Sequence, residues 1–143
     1  MKNTLTMKKV LIDSDVILDV LTARIPFDEA STQMLKLAET KQIHAYTTPV
    51  AISNIYNIIS KYRNHNAAIK SLEKLLSALD VLDMDKNVVM NAIHSKFKDF
   101  EDALQYFSSV KNGRIDAIIT RNTKDYKLSS IPVFTPDTFV SKP

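Results

Sequence analysis

Aspartate residues stand at several places in this chain where a buried strand ends or a helix begins. Asp13 closes the apolar run 8–13, and Asp15 comes two residues later, at the start of an expected helix. Asp99 and Asp102 are three residues apart, a spacing that puts both on one side of the first turn of a helix. Carboxylates that share one crevice repel each other, so such a cluster implies a bound cation.

A second polar group follows the apolar run 115–120. Asn122 and Asp125 lie in the turn-rich segment 122–125. The chain has no Cys, and its three His residues are dispersed without the spacing of metal ligands. Ligands that offer only oxygen favour Mg²⁺ or Mn²⁺ over Zn²⁺.

Each of these residues also has a purely structural interpretation. Asp13 can cap the helix that follows it, and Asp15 can favour the dipole of that helix. Asp99 can be the N-cap of the later helix, with Asp102 reaching back to it. The polar loop 122–125 can be an ordinary turn. All of these residues are expected at one edge of the sheet. That shared position favours a functional site over a set of unrelated caps and turns.

Asp116 is harder to place, because it interrupts an otherwise apolar run. A carboxylate on a buried strand is costly unless it is paired or bound to a metal. Asp116 therefore either lies at the exposed beginning of the strand, or pairs with Arg114 or Arg121, or assists the site. Glu101 is expected to point into solvent.

The apolar pattern predicts how these residues are positioned. Short apolar runs predict strands at residues 8–13, 43–48, 81–82, 115–120 and 133–134, with amphipathic helices between them. Parallel strands need such helical crossovers, and an open parallel sheet binds ligands beyond the carboxyl ends of its strands. The sequence thus predicts an α/β fold, a three-layer α/β/α sandwich around a central, mostly parallel sheet of four or five strands.

Composition narrows the function further. The 143 residues, 45% hydrophobic and 24% charged, predict a single domain spanning 1–143. Gly113 is the only Gly, which excludes glycine-rich nucleotide loops. The net charge of 19 − 16 = +3 permits a polyanionic partner without requiring one. The chain shows neither a membrane span nor a secretory signal, so a cytoplasmic location is expected.

Four segments together resemble a known family. They are VLIDSDVILD at 10–19, TPVAISNIY from Thr48, DFEDALQY from Asp99 and DAIITRNTKDY from Asp116. In order and spacing they are similar to the PIN domain, a metal-dependent ribonuclease fold found in many bacterial toxins of toxin–antitoxin pairs, the VapC type among them. The resemblance runs over nearly the whole chain.

The resemblance implies a set of site residues. Asp13 and Asp102 match direct ligands of Mg²⁺ or Mn²⁺, and Asp99 is an added acid one turn before Asp102. Asn122 and Asp125 match the polar loop that completes the site. The implied catalytic and metal-binding residues are therefore Asp13, Asp99, Asp102, Asn122 and Asp125, with Asp15, at a position where the family often has Asn, as an auxiliary neighbour of the metal.

Two positions depart from the family pattern. Asn54 stands in the helix where the family usually has Glu, and Asn122 stands where it often has Asp. An amide oxygen can coordinate a metal but brings no charge. Because of these two departures, we expect weaker metal binding or a protein without activity.

The resemblance further implies hydrolysis of RNA phosphodiester bonds, in which the ion activates a water and stabilises the leaving oxygen. Arg24 and Arg121 are the expected contacts to the RNA backbone. An antitoxin protein is the expected partner, and its tail would cover the acidic crevice. A homodimer is expected through an apolar helix row formed by Ile52, Ile55, Tyr56, Ile59 and Tyr62, although the same row can simply be core.

Two alternatives stay open. The segment DSDVIL also resembles the opening motif of haloacid-dehalogenase-like phosphatases, but the late Gly-Asp motif of that family is absent. The other alternative is a non-catalytic PIN-like module that binds RNA or protein, and Asn54 and Asn122 are the reason to consider it.

Overall fold

In the computed structural model, which describes residues 8–141, the centre of the molecule is one parallel sheet. The strands are β1 (Lys9–Ile12), β2 (His44–Thr47), β3 (Leu79–Val81), β4 (Ala117–Ile119) and β5 (Val133–Phe134). Their order in the sheet is β3-β2-β1-β4-β5, and every pair is parallel. The α/β fold and the five-stranded sheet agree with the prediction, and the sheet is entirely parallel rather than mostly so.

Seven α-helices lie between and after these strands within residues 8–141. They are α1 (Ser14–Leu21), α2 (Asp28–Glu39), α3 (Pro49–Tyr62), α4 (His65–Leu75), α5 (Lys86–Ile93), α6 (Phe100–Asn112) and α7 (Pro136–Val140), and a 3₁₀ turn covers Thr123–Tyr126. No helix in this part of the chain has both the length and the apolar character needed to cross a bilayer.

Side chains that alternate between the two faces of the sheet explain why helices cover both faces and form three layers. In β1, Val10 and Ile12 join an apolar cluster with residues of α1 to α4, whereas Leu11 belongs to a second cluster that includes Tyr106 of α6. Successive strand residues point to opposite faces of a sheet, so both faces of β1 are covered. Val10, Leu11 and Ile12 are all fully buried. The central strand is therefore rigidly held, and so is the residue that follows it.

Three helices begin at the carboxyl edge of the sheet, each with a polar cap. Asp13 caps α1, Thr48 caps α3 ahead of Pro49, and Asp99 caps α6. Cap side chains accept hydrogen bonds from the first free N–H groups of a helix. The predicted caps Asp13 and Asp99 are therefore present, and they are also what brings these carboxylates to one edge.

Some predicted boundaries are wrong by one to three residues. The third strand covers Leu79–Val81 rather than 81–82, although the Leu82 N–H still donates to the Thr47 carbonyl at 2.9 Å. Helix α6 ends at Gly113, whose φ of 74° is the left-handed conformation expected for that Gly.

The apolar row on α3 is mostly core. Ile55 and Ile59 are buried, and Ile52 and Tyr56 pack partly buried against the same cluster. Only Tyr62, 75% exposed, remains at the surface. The row is therefore mainly core and does not offer the apolar dimer surface that was expected of it. The homodimer itself stays a prediction.

Candidate active site

An acidic crevice of about 190 Å³ opens at the carboxyl edge of the sheet. Six carboxylates and three amides line it: Asp13, Asp15, Asp99, Glu101, Asp102 and Asp125, with Asn54, Gln105 and Asn122. The structure therefore brings together the acids predicted from separate segments of the chain. Within residues 8–141, no Lys or Arg is among the residues that line the crevice.

Asp13 forms the floor of the crevice. Its side chain is buried, and its Oδ1 accepts from the Ser14 N–H at 2.7 Å. Its Oδ2 accepts from Thr120 Oγ1 at 2.9 Å. Burial raises the pKa of Asp13, and these hydrogen bonds act in the opposite direction. The carboxylate is thus held in one orientation before any ligand arrives.

Gln105 supports Asp13 from below. Its Nε2 donates to Asp13 Oδ1 at 2.9 Å and to the Tyr126 hydroxyl at 3.1 Å. Its Oε1 accepts from Thr48 Oγ1 at 2.8 Å. One buried amide therefore connects α6, β1, the start of α3 and the 3₁₀ turn. A buried network in which each member has a partner fixes the positions of all its members.

Asp15 lies beside Asp13 at the first turn of α1. Its Oδ2 accepts from the Arg121 N–H at 3.1 Å and from Asn122 Nδ2 at 3.4 Å. Burial, followed by the charge of Asp13, raises the pKa of Asp15 to about 6. Its Oδ1 is buried and has no hydrogen-bond partner among residues 8–141. An unpartnered carboxylate oxygen is costly and is suited to a cation.

Asp102 faces Asp13 from α6. Its Oδ1 accepts from the Tyr126 hydroxyl at 3.2 Å. Burial, followed by the charge of Asp13, raises the pKa of Asp102 to about 8. The carboxylates of Asp99 and Asp125 add to the same shift. Asp99 caps this helix by accepting from the Asp102 N–H at 3.0 Å, which is one half of the expected capping box.

Asn54 reaches the crevice from α3. Its Nδ2 donates to Ser14 Oγ at 3.1 Å, which leaves the amide oxygen outside that bond. Helix α3 therefore faces the site at this position. The residue brings no negative charge there, in contrast to the Glu that the family pattern places in this helix.

The donor set fits a hard divalent cation. It consists of carboxylate and amide oxygens, the ligands that Mg²⁺ and Mn²⁺ prefer. Burial and neighbouring carboxylates raise the pKa of Asp102, and one Asp15 oxygen has no partner among the described residues, so no side chain of the crevice lining supplies a cation to these acids. Among the described residues, however, no three Asp, Glu or His side chains are arranged to hold an ion as they stand. Binding would have to draw the side chains inward.

Of the interpretations left open for Asp116, the structure supports the one that placed it at the exposed beginning of the strand. Asp116 lies at the amino end of β4, the edge opposite the crevice, where its carboxylate accepts from the Lys9 N–H at 2.8 Å. This backbone contact, and not an arginine, is its partner, so Asp116 does not assist the site. Glu101 is exposed, as expected, but it also lines the crevice, which the sequence did not predict.

The two arginines predicted to contact RNA share one buried partner. Arg121 Nε lies 2.8 Å from Asp19 Oδ2, and Arg24 Nη1 lies 3.9 Å from Asp19 Oδ1. The guanidinium carbon of Arg121 is 4.0 Å from the centre of the Phe27 ring. Neither side chain lines the acidic crevice, and their contact with RNA stays a prediction.

Sequence reasoning missed Gln105, Thr120, Tyr126 and Asp19. A usable signal existed for two of them. Gln105 comes three residues after Asp102 and so lies on the same face of α6. Asp19 is a carboxylate four residues after Asp15 on an otherwise apolar helix, which indicates a buried partner.

Comparison with known proteins identifies the family and a relative of this chain. Residues 9–124 match the sequence model of the PIN domain. The chain is 26% identical over 140 residues to Ribonuclease VapC1 of Aquifex aeolicus (strain VF5), covering 94% of this chain and 95% of that protein.

Solved structures show the same fold. A toxin–antitoxin complex from Klebsiella pneumoniae matches with a TM-score of 0.66 at 20% identity, over 89% of this chain and 97% of that one. VapC20 of Mycobacterium tuberculosis, described as a sarcin–ricin loop cleaving toxin, matches with a TM-score of 0.60 at 15% identity, over 76% and 86%. Since the PIN model matches well over half of its length, this chain belongs to the PIN domain family.

Proposed function

We propose that this protein is a metal-dependent ribonuclease that hydrolyses RNA phosphodiester bonds and acts as the toxin of a toxin–antitoxin pair. The observation that carries the proposal is the crevice itself, in which six carboxylates from three segments of the chain meet without a basic residue among the described lining. The curated relative named as a ribonuclease supports the same reaction.

Mg²⁺ or Mn²⁺ is the proposed cofactor. Asp13, Asp99, Asp102 and Asn122 would hold it, with Asp15 beside them and Asp125 as a further acid of the site. When bound, such an ion supplies Lewis acidity that activates a water and stabilises the leaving oxygen of a phosphodiester.

The chain's own residues prepare the site in three ways. Gln105 and Thr120 fix the orientation of Asp13. Tyr126 places its hydroxyl between Asp13 and Asp102, at 3.4 Å and 3.2 Å from their nearest oxygens. The surrounding acids repel the phosphates of an RNA strand. The strand can therefore approach only when a bound cation neutralises the charge of these acids.

Cleavage of a mixed-sequence RNA tests the reaction. Wild type should cleave with Mg²⁺ or Mn²⁺ and not with EDTA. Asp13→Asn and Asp102→Asn should each lower the rate by about 100-fold or more, since even loss of an outer partner of a metal ligand costs about 10- to 100-fold. Asp116→Asn, at the opposite edge of the sheet, is the matched control and should cleave like wild type.

The same experiment separates the alternative function. Asn54 and Asn122 favour a non-catalytic PIN-like module, because each replaces a carboxylate that the family pattern places in the site. RNA binding without cleavage under every metal condition would favour that module over the ribonuclease. Membership of the PIN domain family leaves the haloacid-dehalogenase-like phosphatase without support.

The toxin role includes proposals about partners. We propose an antitoxin protein, as in the toxin–antitoxin complex from Klebsiella pneumoniae whose fold this chain shares. We also propose a homodimer, a cytoplasmic location, and a single domain spanning 1–143. Expression of the chain alone should slow growth, and co-expression with the neighbouring reading frame should relieve it. Harmless expression of an active nuclease would contradict the toxin role, and a monomer by light scattering would contradict the dimer.

A further inference from the structure

A larger cavity lies next to the acidic crevice. It has a volume of about 520 Å³, against about 190 Å³ for the crevice, and opens between the start of α2, the start of α7 and Arg121. Pro26, Phe27, Glu29, Arg121 and Asp137 are among the residues that line it. Its volume is within the range of about 300–1,000 Å³ that is typical of small-ligand sites.

Arg121 belongs to both sites. Its backbone N–H donates to Asp15 in the acidic crevice at 3.1 Å. Its side chain turns away from the crevice and lines the larger cavity. The acidic crevice and the larger cavity therefore meet at Arg121.

Asp19 holds the Arg121 side chain in place. Asp19 is fully buried, accepts from Arg121 Nε at 2.8 Å and accepts from Ser31 Oγ at 3.2 Å. Only Nε is used in this pair. Within residues 8–141, the two Nη groups of Arg121 make no hydrogen bond. A planar guanidinium that is anchored in this way still offers donors in a fixed orientation.

Phe27 supplies a flat apolar surface. The Arg121 guanidinium lies over one face of the Phe27 ring, 4.0 Å from its centre, and Phe27 as a residue is nonetheless 41% exposed. Unpaired bases stack on aromatic rings and on guanidinium planes. Phe27 and Arg121 together therefore form a preformed stacking platform at the wall of the cavity.

The charge of the cavity favours a base over a phosphate. Asp19 offsets part of the positive charge of Arg121, since it also lies 3.9 Å from Arg24. Glu29 and Asp137 add two carboxylates to the lining, so a phosphate would be repelled. A nucleobase is uncharged, its amino groups can donate to those carboxylates, and its carbonyl and ring nitrogens can accept from the free Nη groups.

We propose that this cavity is a base-binding subsite, in which Phe27 and Arg121 receive one unpaired base of the RNA strand whose phosphodiester lies in the acidic crevice. The inference rests on the proposed ribonuclease function and adds to it a determinant of RNA recognition. It also assigns a role to the loop 22–27 between α1 and α2, which contributes nothing to the crevice lining.

Short single-stranded RNAs with one abasic nucleotide, moved position by position, test the subsite. With wild type and Mn²⁺, one abasic position near the cleaved bond should raise KM by about tenfold, the effect expected for loss of one stacked base, while kcat changes little. Phe27→Ala should raise KM for intact RNA by a similar factor and should be insensitive to that abasic position. Phe27→Trp should keep the sensitivity. Tyr62→Ala, which removes an exposed aromatic ring at the far end of α3, should behave like wild type.

The outcomes are distinguishable. If wild type cleaves RNA but no abasic position matters, or if Phe27→Ala keeps the full sensitivity, the base subsite is wrong and the ribonuclease stands. If wild type cleaves no RNA, the proposed function fails and the subsite fails with it. Circular dichroism checks the fold of each variant. Arg121→Lys provides a second test: it keeps the positive charge but loses the planar guanidinium, so it should also weaken the effect of the abasic position.

Discussion

Gln105 donates a hydrogen bond from Nε2 to Asp13 Oδ1 at 2.9 Å, across 92 positions of sequence. Gln105 and Asp13 are 2% and 8% exposed, so the contact is made away from solvent. The same Nε2 group reaches the Tyr126 hydroxyl, which in turn lies near Asp102. Gln105 therefore links the two central acids, and it adds to the hydrogen bonds that Asp13 accepts from Ser14 and Thr120.

Replacing this amide should affect both stability and catalysis. Gln105→Leu leaves a buried carboxylate without one of its donors, which costs about 1–3 kcal/mol of unfolding free energy. Mn²⁺ affinity and RNA cleavage should each fall by about tenfold, as for other outer partners of metal ligands. Gln42→Leu, whose surface amide contacts only Thr40, is the matched control. Equal behaviour of the two variants in urea denaturation and cleavage would contradict the role of Gln105.

Asn54 is the position where added charge should help. Asn54→Glu places a carboxylate in the crevice lining, and we expect Mn²⁺ affinity to rise by about tenfold, or about 1.4 kcal/mol. Asn57→Glu adds the same charge to an exposed position on the same helix that does not line the crevice, and it should leave the affinity unchanged. Isothermal titration calorimetry measures both. Unchanged or weaker binding by Asn54→Glu would place Asn54 outside the metal shell.

The sequence predicts much of the site because the topology of a parallel sheet leaves few alternatives. Once β1 ends at Asp13 and α6 begins at Asp99, both residues must lie at the carboxyl edge. Asp102 then follows from helical spacing. Predicting that these acids lie together requires only the order of the strands and helices and their approximate boundaries. The apolar runs of the sequence supply both.

What the sequence does not predict depends on finer geometry. The sequence left more than one place open for Asp116, and the structure puts it directly before β4, at the edge of the sheet opposite the crevice. Tyr126 enters the network only because a 3₁₀ turn folds the chain back over Asp102. Arg121 has its backbone in one site and its side chain in another, which no pattern of residue types reveals.

The buried Asp19 should matter more to stability than an exposed carboxylate does. Asp19→Asn removes the anion beside Arg121 and Arg24, and breaking a buried pair costs about 3–5 kcal/mol. We expect about 3 kcal/mol, since Arg24 and Arg121 remain partly hydrated. Asp80→Asn, in an exposed pair with His44, should cost about 0–1 kcal/mol. Urea denaturation compares the two, and similar losses would show that the buried pair is not a main source of stability.

The crevice acids should make the stability of the metal-free protein depend on pH in an unusual direction. The pKa values of Asp15 and Asp102 are raised from 3.8 to about 6 and about 8 in the folded chain. A carboxyl with a raised folded pKa holds its proton more tightly in the folded state than in the unfolded state. The free energy of unfolding therefore falls as pH rises from about 4 through these folded pKa values, because folding then confines two charges that the unfolded chain leaves in water.

Metal should reverse this trend. Mn²⁺ binds the deprotonated carboxylates, so its stabilising effect should grow as pH rises from about 5 to about 8. Thermal unfolding with EDTA should show a melting temperature that falls over that interval, and the increase produced by excess Mn²⁺ should be largest at its upper end. Asp102→Asn should reduce the pH dependence above about pH 6, because the Asp102 pKa of about 8 lies there, and it should shrink the effect of Mn²⁺. Asp116→Asn should change neither. A metal-free melting temperature that rises across the same interval would show that the crevice acids do not carry the charge inferred for them.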